Sequence, residues 1–484
     1  MSLPRRSQSA LEYMMTYGWA ILVIVIVAAV LYSLGIFSPS SSLSTTITGF
    51  SNLGTVNAVC LGGTSFTISM GDSTGYPINI TEINLTSSSG KTTYSPNILI
   101  QPNSIQTVTV PSSSLCSPGA RYSVSAVISY LEPGQIFSGP YTSTGTVSGT
   151  ANSPPSSATS YEPLNITNTQ NQGTPSPFQQ MINVTSSSLG WADISSSPFG
   201  QNVEFFSATG QILDSWLENY TSTHAIWWVK LTSSIPAGSK QTIYIGFAPT
   251  STNLFNTNNI GEAPQIPCGS TPTSSCSNYA EYDDGANVFN NYWNFAGTAL
   301  PTGLSTTGYT TVNNGLTINS TAVGAYGIYT DTTINSNNNV LEAYMIQTGY
   351  GGLFYSISYS GGSYTNTAWF TSGTGTGDSY NGVVSPNPNN QIITSVNGVQ
   401  YDNGVSYTYP SGYRVYGVTN VNNLAYDTLN YATIATVPTA NSPSGQDYYA
   451  ELFVSGSITY VYWLRTRAYP PNGVMPSVNF GSVS

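Results

Sequence analysis

The sequence predicts a mainly β protein in which an N-terminal hydrophobic α-helix is followed by three β-sandwich or jelly-roll domains. Three observations predict it. Residues 14–37 are an uncharged apolar run. Beyond them, apolar side chains alternate with Ser, Thr and Asn at the two-residue period of strands, punctuated by Gly and Pro turns. And 484 residues exceed one core, at about 100–200 residues per domain.

The apolar run, MMTYGWAILVIVIVAAVLYSLGIF, would reach roughly 36 Å as a helix, enough to span a bilayer. Arg5 and Arg6 precede it and no basic residue follows before Lys91, so the positive-inside bias sets the N-terminus in the cytoplasm and the remainder outside. Gly18 inside the run is compatible with close helix packing.

The segment Arg5-Arg6-Ser7-Gln8-Ser9-Ala10-Leu11-Glu12-Tyr13 sets basic residues, Gln and Glu ahead of the apolar run. It resembles the class III leader of archaeal type IV pilin-like proteins. The resemblance implies a leader of residues 1–7, cut by a prepilin peptidase between Ser7 and Gln8, with Ser7 standing where the family usually has Gly. The helix of residues 8–37 would stay on the mature chain and bundle with its copies. Gln8, Glu12 and Tyr13 would be its assembly residues, the Glu12 carboxylate meeting the new α-amine of Gln8. A carboxylate at a membrane centre costs about 2.5–3.5 kcal/mol on insertion scales, so it needs such a partner or an interface. The other reading is a permanent single-span anchor with Glu12 at headgroup level.

Residues 38–150 read as a β-sandwich. Phe66, Ile68 and Met70 alternate with Thr67 and Ser69, and Tyr122, Val124, Ala126, Ile128 and Tyr130 share one face. This stretch is similar to the globular head of archaeal pilins. Residues 151–160, ANSPPSSATS, read as an exposed linker. Residues 161–265 carry strands at Val203–Phe206, Ala225–Leu231 and Gln241–Phe247, and their motif order resembles a domain family of unknown function found in surface proteins. Residues 266–280, with Pro267, Gly269, Pro272 and two cysteines, read as a disulfide-stapled linker without a core. Residues 281–484 return to strand and turn. Their opening YDDGANVFNNYWNF and closing WLRTRAYPPNGVMPSV resemble the laminin-G or concanavalin-A-like jelly roll.

Only 6% of residues are charged and the formal net charge is −11. Nucleic-acid partners are excluded on that footing, because they require clustered Lys and Arg. Few carboxylates also limit charge build-up in acid. Four cysteines fall in two local pairs, Cys60 with Cys116 and Cys268 with Cys276. The pattern suits disulfides in an oxidising compartment better than a zinc site, since no CxxC spacing occurs.

Catalytic chemistry finds little support. The single histidine, His224, lies in a strand-like segment with no G-x-S-x-G elbow. Glu281-Tyr282-Asp283 begins the E-x-D-x-x-E pattern of jelly-roll glucanases but lacks the third acid. No catalytic residue, cofactor site or enzyme activity is therefore expected. Asp283 and Asp284 are weak candidates for a structural calcium, with Asp447 or Glu451 completing it; the alternative is a solvated strand entrance. Aromatic runs such as Tyr350–Tyr364 offer stacking platforms for sugars or simply half-buried strand residues. Six N-x-S/T sequons, at Asn79, Asn84, Asn165, Asn183, Asn219 and Asn319, are glycosylation candidates in an exported chain.

The expectation is a structural subunit of a pilus-like surface filament, homo-oligomeric through its N-terminal helix. Its partners would be the prepilin peptidase and assembly machinery, the membrane before assembly, and glycans or other cells through outward β-domains. The alternatives are a single-span membrane-anchored adhesin and a cell-surface carbohydrate-binding or carbohydrate-active protein that uses the leader only as an anchor.

Overall fold

The structure is a computed structural model. It describes residue 23 and residues 45–484, except 137, 270–275, 320–324, 336–337, 348–349, 357–379, 383–390, 397–398, 407–411, 422–423, 439–446, 456–457 and 482–484. The leader, the cleavage residues Ser7 and Gln8, the assembly residues Glu12 and Tyr13 and nearly all of the apolar run lie outside the described residues. No helix among the described residues is long and apolar enough to cross a membrane.

The chain divides into two compact units, Met1–Pro154 and Pro155–Ser484. The first is a β-sandwich. Its larger sheet runs Thr46–Gly49, Tyr141–Thr150, Arg121–Leu131, Ile78–Thr86 and Lys91–Tyr94, with Ile98–Ile100 also on Ile78–Thr86; the smaller holds Leu53–Leu61, Ser65–Asp72 and Ile105–Pro111. The strand period seen in the sequence is the burial period. Tyr122, Val124, Ala126, Ile128 and Tyr130 point inward from Arg121–Leu131 and meet Phe66, Ile68 and Met70 of the smaller sheet in one core. A disulfide joins Cys60 to Cys116 at its margin.

The second unit contains two pairs of sheets. In the first pair, Ile212–Leu213, Val203–Ser207, Lys240–Phe247, Ser160–Thr167 and Ser477–Phe480 face Phe178–Thr185, His224–Leu231, Ser215–Tyr220 and Ile260–Glu262. Leu164, Phe205, Ile243 and Ile245 pack there against Ile182, Trp227 and Val229. The strand Ser477–Phe480 pairs with Ser160–Thr167, Thr167 lying opposite Ser477 and Leu164 opposite Phe480. The strand Ser477–Phe480 thus completes a sheet whose first strand begins at Ser160.

The second pair is a larger antiparallel, jelly-roll-like sandwich. One sheet centres on Ile458–Ala468, Asn339–Gln347 and Arg414–Val421, the other on Asp447–Ser455, Ala325–Thr330 and Tyr350–Ser356. Leu341, Ala343, Val418 and Val461 from one meet Ile328, Leu353 and Leu452 from the other.

Residues 266–280, expected to form no core, do contribute to one. Tyr279 is buried and its hydroxyl donates to the carbonyls of Asn294 and Tyr462. The Cys268–Cys276 disulfide lies at the edge of the same cluster. A short 3-10 helix, Ile266–Cys268, opens the segment, and Ile266 and Ala280 also pack against the cluster.

Candidate functional site

Arg465 and Arg467 follow one another on the same side of the strand Ile458–Ala468 and are nearly free of solvent. Buried guanidinium groups require anionic partners. Arg465 Nε donates to Glu342 Oε2 at 2.8 Å and Nη2 to Glu218 Oε2 at 2.9 Å, while Arg467 Nε donates to Glu342 Oε1 at 2.8 Å. Burial alone would raise the Glu342 carboxyl, but the charges of Arg467 and Arg465 outweigh it and hold it below the usual range.

The Arg465 guanidinium also lies 4.3 Å from the ring centres of Trp463 and Phe289, 4.7 Å from Trp228 and 5.4 Å from Trp216. Its Nη1 has no hydrogen-bond acceptor among the described residues and faces π-density instead. Glu218 sits at a bulge in Ser215–Tyr220. It accepts from Trp228 Nε1 at 2.7 Å and from the Tyr431 hydroxyl. Tyr431 occupies a hairpin turn with φ of +71°, a conformation that a bulky side chain takes only when its surroundings demand it. This network joins the sheet pair begun at Ser160 to the larger sandwich.

The acidic pair lies beside it. Asp283 is fully engaged: Oδ1 accepts from Trp216 Nε1 and the Gly285 amide, and Oδ2 from the Tyr292 hydroxyl and Asn294 Nδ2. Its lone pairs are spent on protein donors, so it does not fit a calcium ligand. Asp284 is 1% exposed and neither oxygen has a partner among the described residues. Burial, with the charges of Asp283 and Asp214, pushes its carboxyl up to about 9. Asp284 is therefore an interior acid, and Asp283 a half-buried one satisfied by protein donors. No group of three or more metal-ligating side chains occurs among the described residues. The side chains of Asp447 and Glu451 lie outside the described ones. Burial, then Glu281 and Asp283, push Glu262 up to about 8.

A cavity of about 420 Å³ opens at the junction of the two sheet pairs. Tyr426, Tyr469, Pro470 and Pro471 give it apolar surface, and Gln172, Asn338 and Asn472 give it amides. Several local devices shape it. Asn168 Nδ2 donates to the carbonyls of Gln172, Ile235 and Pro236, fixing the loop that carries Gln172. The Tyr469 amide donates to the Asn338 carbonyl at 2.9 Å. Asn472 Nδ2 reaches Asn171 Oδ1 at 2.9 Å across the mouth. Gly473, at φ of +76°, lies so close to the Tyr469 hydroxyl that a Cβ would stand 2.7 Å from it. Burial pushes the Tyr469 phenol up to about 12, so it remains a neutral donor and acceptor. The ring centres of Tyr426 and Tyr469 are 6.3 Å apart. Rings, prolines and amides of this kind can hold a neutral polar ligand.

The other sequence candidates are dispersed. His224 begins a strand and bonds Thr221 through Nδ1. The Asn79, Asn84 and Asn165 side chains are tied to Asn97, Glu82 and Thr242 respectively, whereas Asn183, Asn219 and Asn319 are exposed. The side chains of the aromatic run from Tyr350 lie largely outside the described ones. The cavity residues were not singled out from sequence, although the Tyr469-Pro470-Pro471 run lies in the closing stretch that carries the jelly-roll resemblance.

The described chain is thus a disulfide-bonded, mainly β protein of several sandwiches, the class that matures in oxidising compartments. Residues 199–262 match a domain of unknown function, DUF2341. The chain is 28% identical over 364 residues to "Uncharacterized protein 562" of Sulfolobus islandicus rod-shaped virus 1, covering 65% of this chain. It spans 58% of the length of that viral protein. Among solved structures, a β-glucanase of Bacillus licheniformis is 13% identical, covering 37% of this chain and 97% of its own, with a TM-score of 0.27. A glycosyl hydrolase family protein of Mycobacterium fortuitum is 10% identical, covering 37% of this chain and 99% of its own, with a TM-score of 0.27.

Proposed function

We propose that this is an exported cell-surface protein that binds neutral saccharide through the junction cavity, without catalysis, and is held at the surface by its N-terminal apolar segment. The observation that carries the reading is the cavity lining. Tyr426, Tyr469 and the two prolines offer faces to the C–H side of a sugar ring, and Gln172, Asn338 and Asn472 offer donors and acceptors to its hydroxyls. A surface poor in ions suits an uncharged ligand.

Two modes of display remain open to such a protein. The residues from Arg5 to Tyr13 support a filament, in which a prepilin peptidase frees Gln8 and Glu12 meets its α-amine in a helical bundle of copies; the same segment also serves a single anchor. N-terminal sequencing of the native protein, with electron microscopy of surface filaments, separates them. A native chain beginning at Met1 rules out the filament.

Binding is tested by calorimetry of the full chain in detergent against a panel of neutral oligosaccharides, with wild type beside Tyr469→Ala and Tyr426→Ala. Saccharide binding that weakens about tenfold in either variant, with unchanged circular dichroism, supports the reading. Absence of binding across the panel, or chain-cleaving activity on it, overturns it.

A further inference from the structure

We infer that Asn183 and Asn219 are both N-glycosylated and form a twin glycan site on one face of the sheet Phe178–Thr185, His224–Leu231 and Ser215–Tyr220. The inference is independent of the cavity. Each asparagine lies opposite Ile226, Asn183 from one neighbouring strand and Asn219 from the other. Residues directly opposite in a ladder point to the same side, so Asn183, Ile226 and Asn219 form one rung. The two asparagines stand about 10 Å apart, twice the spacing of adjacent strands.

The next rung holds the other half of each sequon. Thr185 lies opposite His224, and Thr221 Oγ1 meets His224 Nδ1 at 2.9 Å. Residues two apart on a strand share a face, which sets Thr185 on the same side of the sheet as Asn183. The bulge at Glu218 allows this on the second strand: Glu218 takes the extra place and turns to Arg465, and Asn219 falls back into register with Ile226.

Accessibility separates these two from three other sequons. Asn183 and Asn219 are exposed and make no side-chain hydrogen bond among the described residues. Asn79 Nδ2 is committed to Asn97, Asn84 Nδ2 to Glu82, and Asn165 Oδ1 accepts from Thr242 in mid-sheet. In the modification, the Asn Nδ2 attacks the anomeric carbon of an oligosaccharide activated as its lipid phosphate or diphosphate. An N–C bond forms, the phosphate leaves on the lipid, and one amide proton is lost.

Glycopeptide mass spectrometry on the protein purified from its own host tests this. We expect glycan mass on the peptides containing Asn183 and Asn219, and unmodified peptides around Asn79, Asn84 and Asn165. Asn183→Gln and Asn219→Gln should each lower the intact mass by one glycan, and the double variant by two. Unmodified peptides at Asn183 and Asn219, or equal occupancy at the three committed asparagines, overturn the inference. The native peptide map decides the matter even where a variant fails to fold.

Discussion

Arg465 and Glu218 meet at 2.9 Å with side-chain exposures of 0% and 4%, although they lie on strands of different sheet pairs. Glu218 is the acceptor for three donors, from Arg465, Trp228 and Tyr431. Removing it would leave a guanidinium half paired in a cage of rings. Breaking one partner of a buried pair costs about 3–5 kcal/mol. Glu218→Ala is therefore expected to lower the stability of the 155–484 unit by about that amount, read by urea denaturation followed through tryptophan fluorescence. A loss below about 1 kcal/mol would mean that the pair contributes no more than an exposed one.

Tyr431→Phe tests the hairpin that reaches into this network. The ring and its contact with Trp228, 5.4 Å between centres, survive, and only the hydroxyl between Glu218 and Arg465 is lost. A cost of about 1–3 kcal/mol is expected. Hydrogen exchange should quicken in Leu424–Leu429 and Ala432–Pro438 more than in Asp447–Ser455; uniform quickening would count against a local role.

Stability should fall as pH rises from about 4 to about 9. Glu262 and Asp284 are pushed up by burial, to about 8 and about 9. The folded chain therefore holds protons that the unfolded chain has released, and the contribution is full below the ordinary carboxylate range and lost through the folded values. Glu342, held low by its arginines, works the other way: its contribution is present above the ordinary range and lost as pH falls through its lowered folded value. Melting temperature against pH should peak on the acidic side of neutrality, and Asp284→Asn should flatten the alkaline decline. An unchanged decline in Asp284→Asn would remove Asp284 as its source.

The two disulfides should differ in effect. Closure entropy grows with loop size, and the cysteines are 56 residues apart in the Cys60–Cys116 pair but 8 apart in Cys268–Cys276. Replacing the first pair by serine is expected to cost the unit 1–154 about 4 kcal/mol, and replacing the second to cost the unit 155–484 about 2.5 kcal/mol. Denaturant titration of each double variant measures both; a reversed order would show that strain outweighs chain entropy here.

Strand identity was legible where one face is buried and the other wet, since the alternation around Tyr122–Tyr130 maps directly onto burial. The cysteine partners were legible because each pair is local. The cavity was not, because Gln172, Tyr426 and Tyr469 are far apart in the chain and meet only through long-range pairing. Asp283 and Asp284 looked like surface acids because sequence shows charge without burial; the Trp216, Tyr292 and Asn294 donors that enclose Asp283 come from separate elements. Arg465 and Arg467 carried a usable signal in hindsight, as two of only nine cations spaced by two within an aromatic strand.

The strand Ser477–Phe480 seals a sheet whose other members were all made long before it. A chain emerging from a translocon amino end first must therefore leave the backbone edge of Ser160–Thr167 unpaired along one margin until the tail arrives. Clipping after Val474 would unzip a domain laid down three hundred-odd residues upstream, so a proteolytic nick near the carboxyl end should be felt first at the opposite end of the unit.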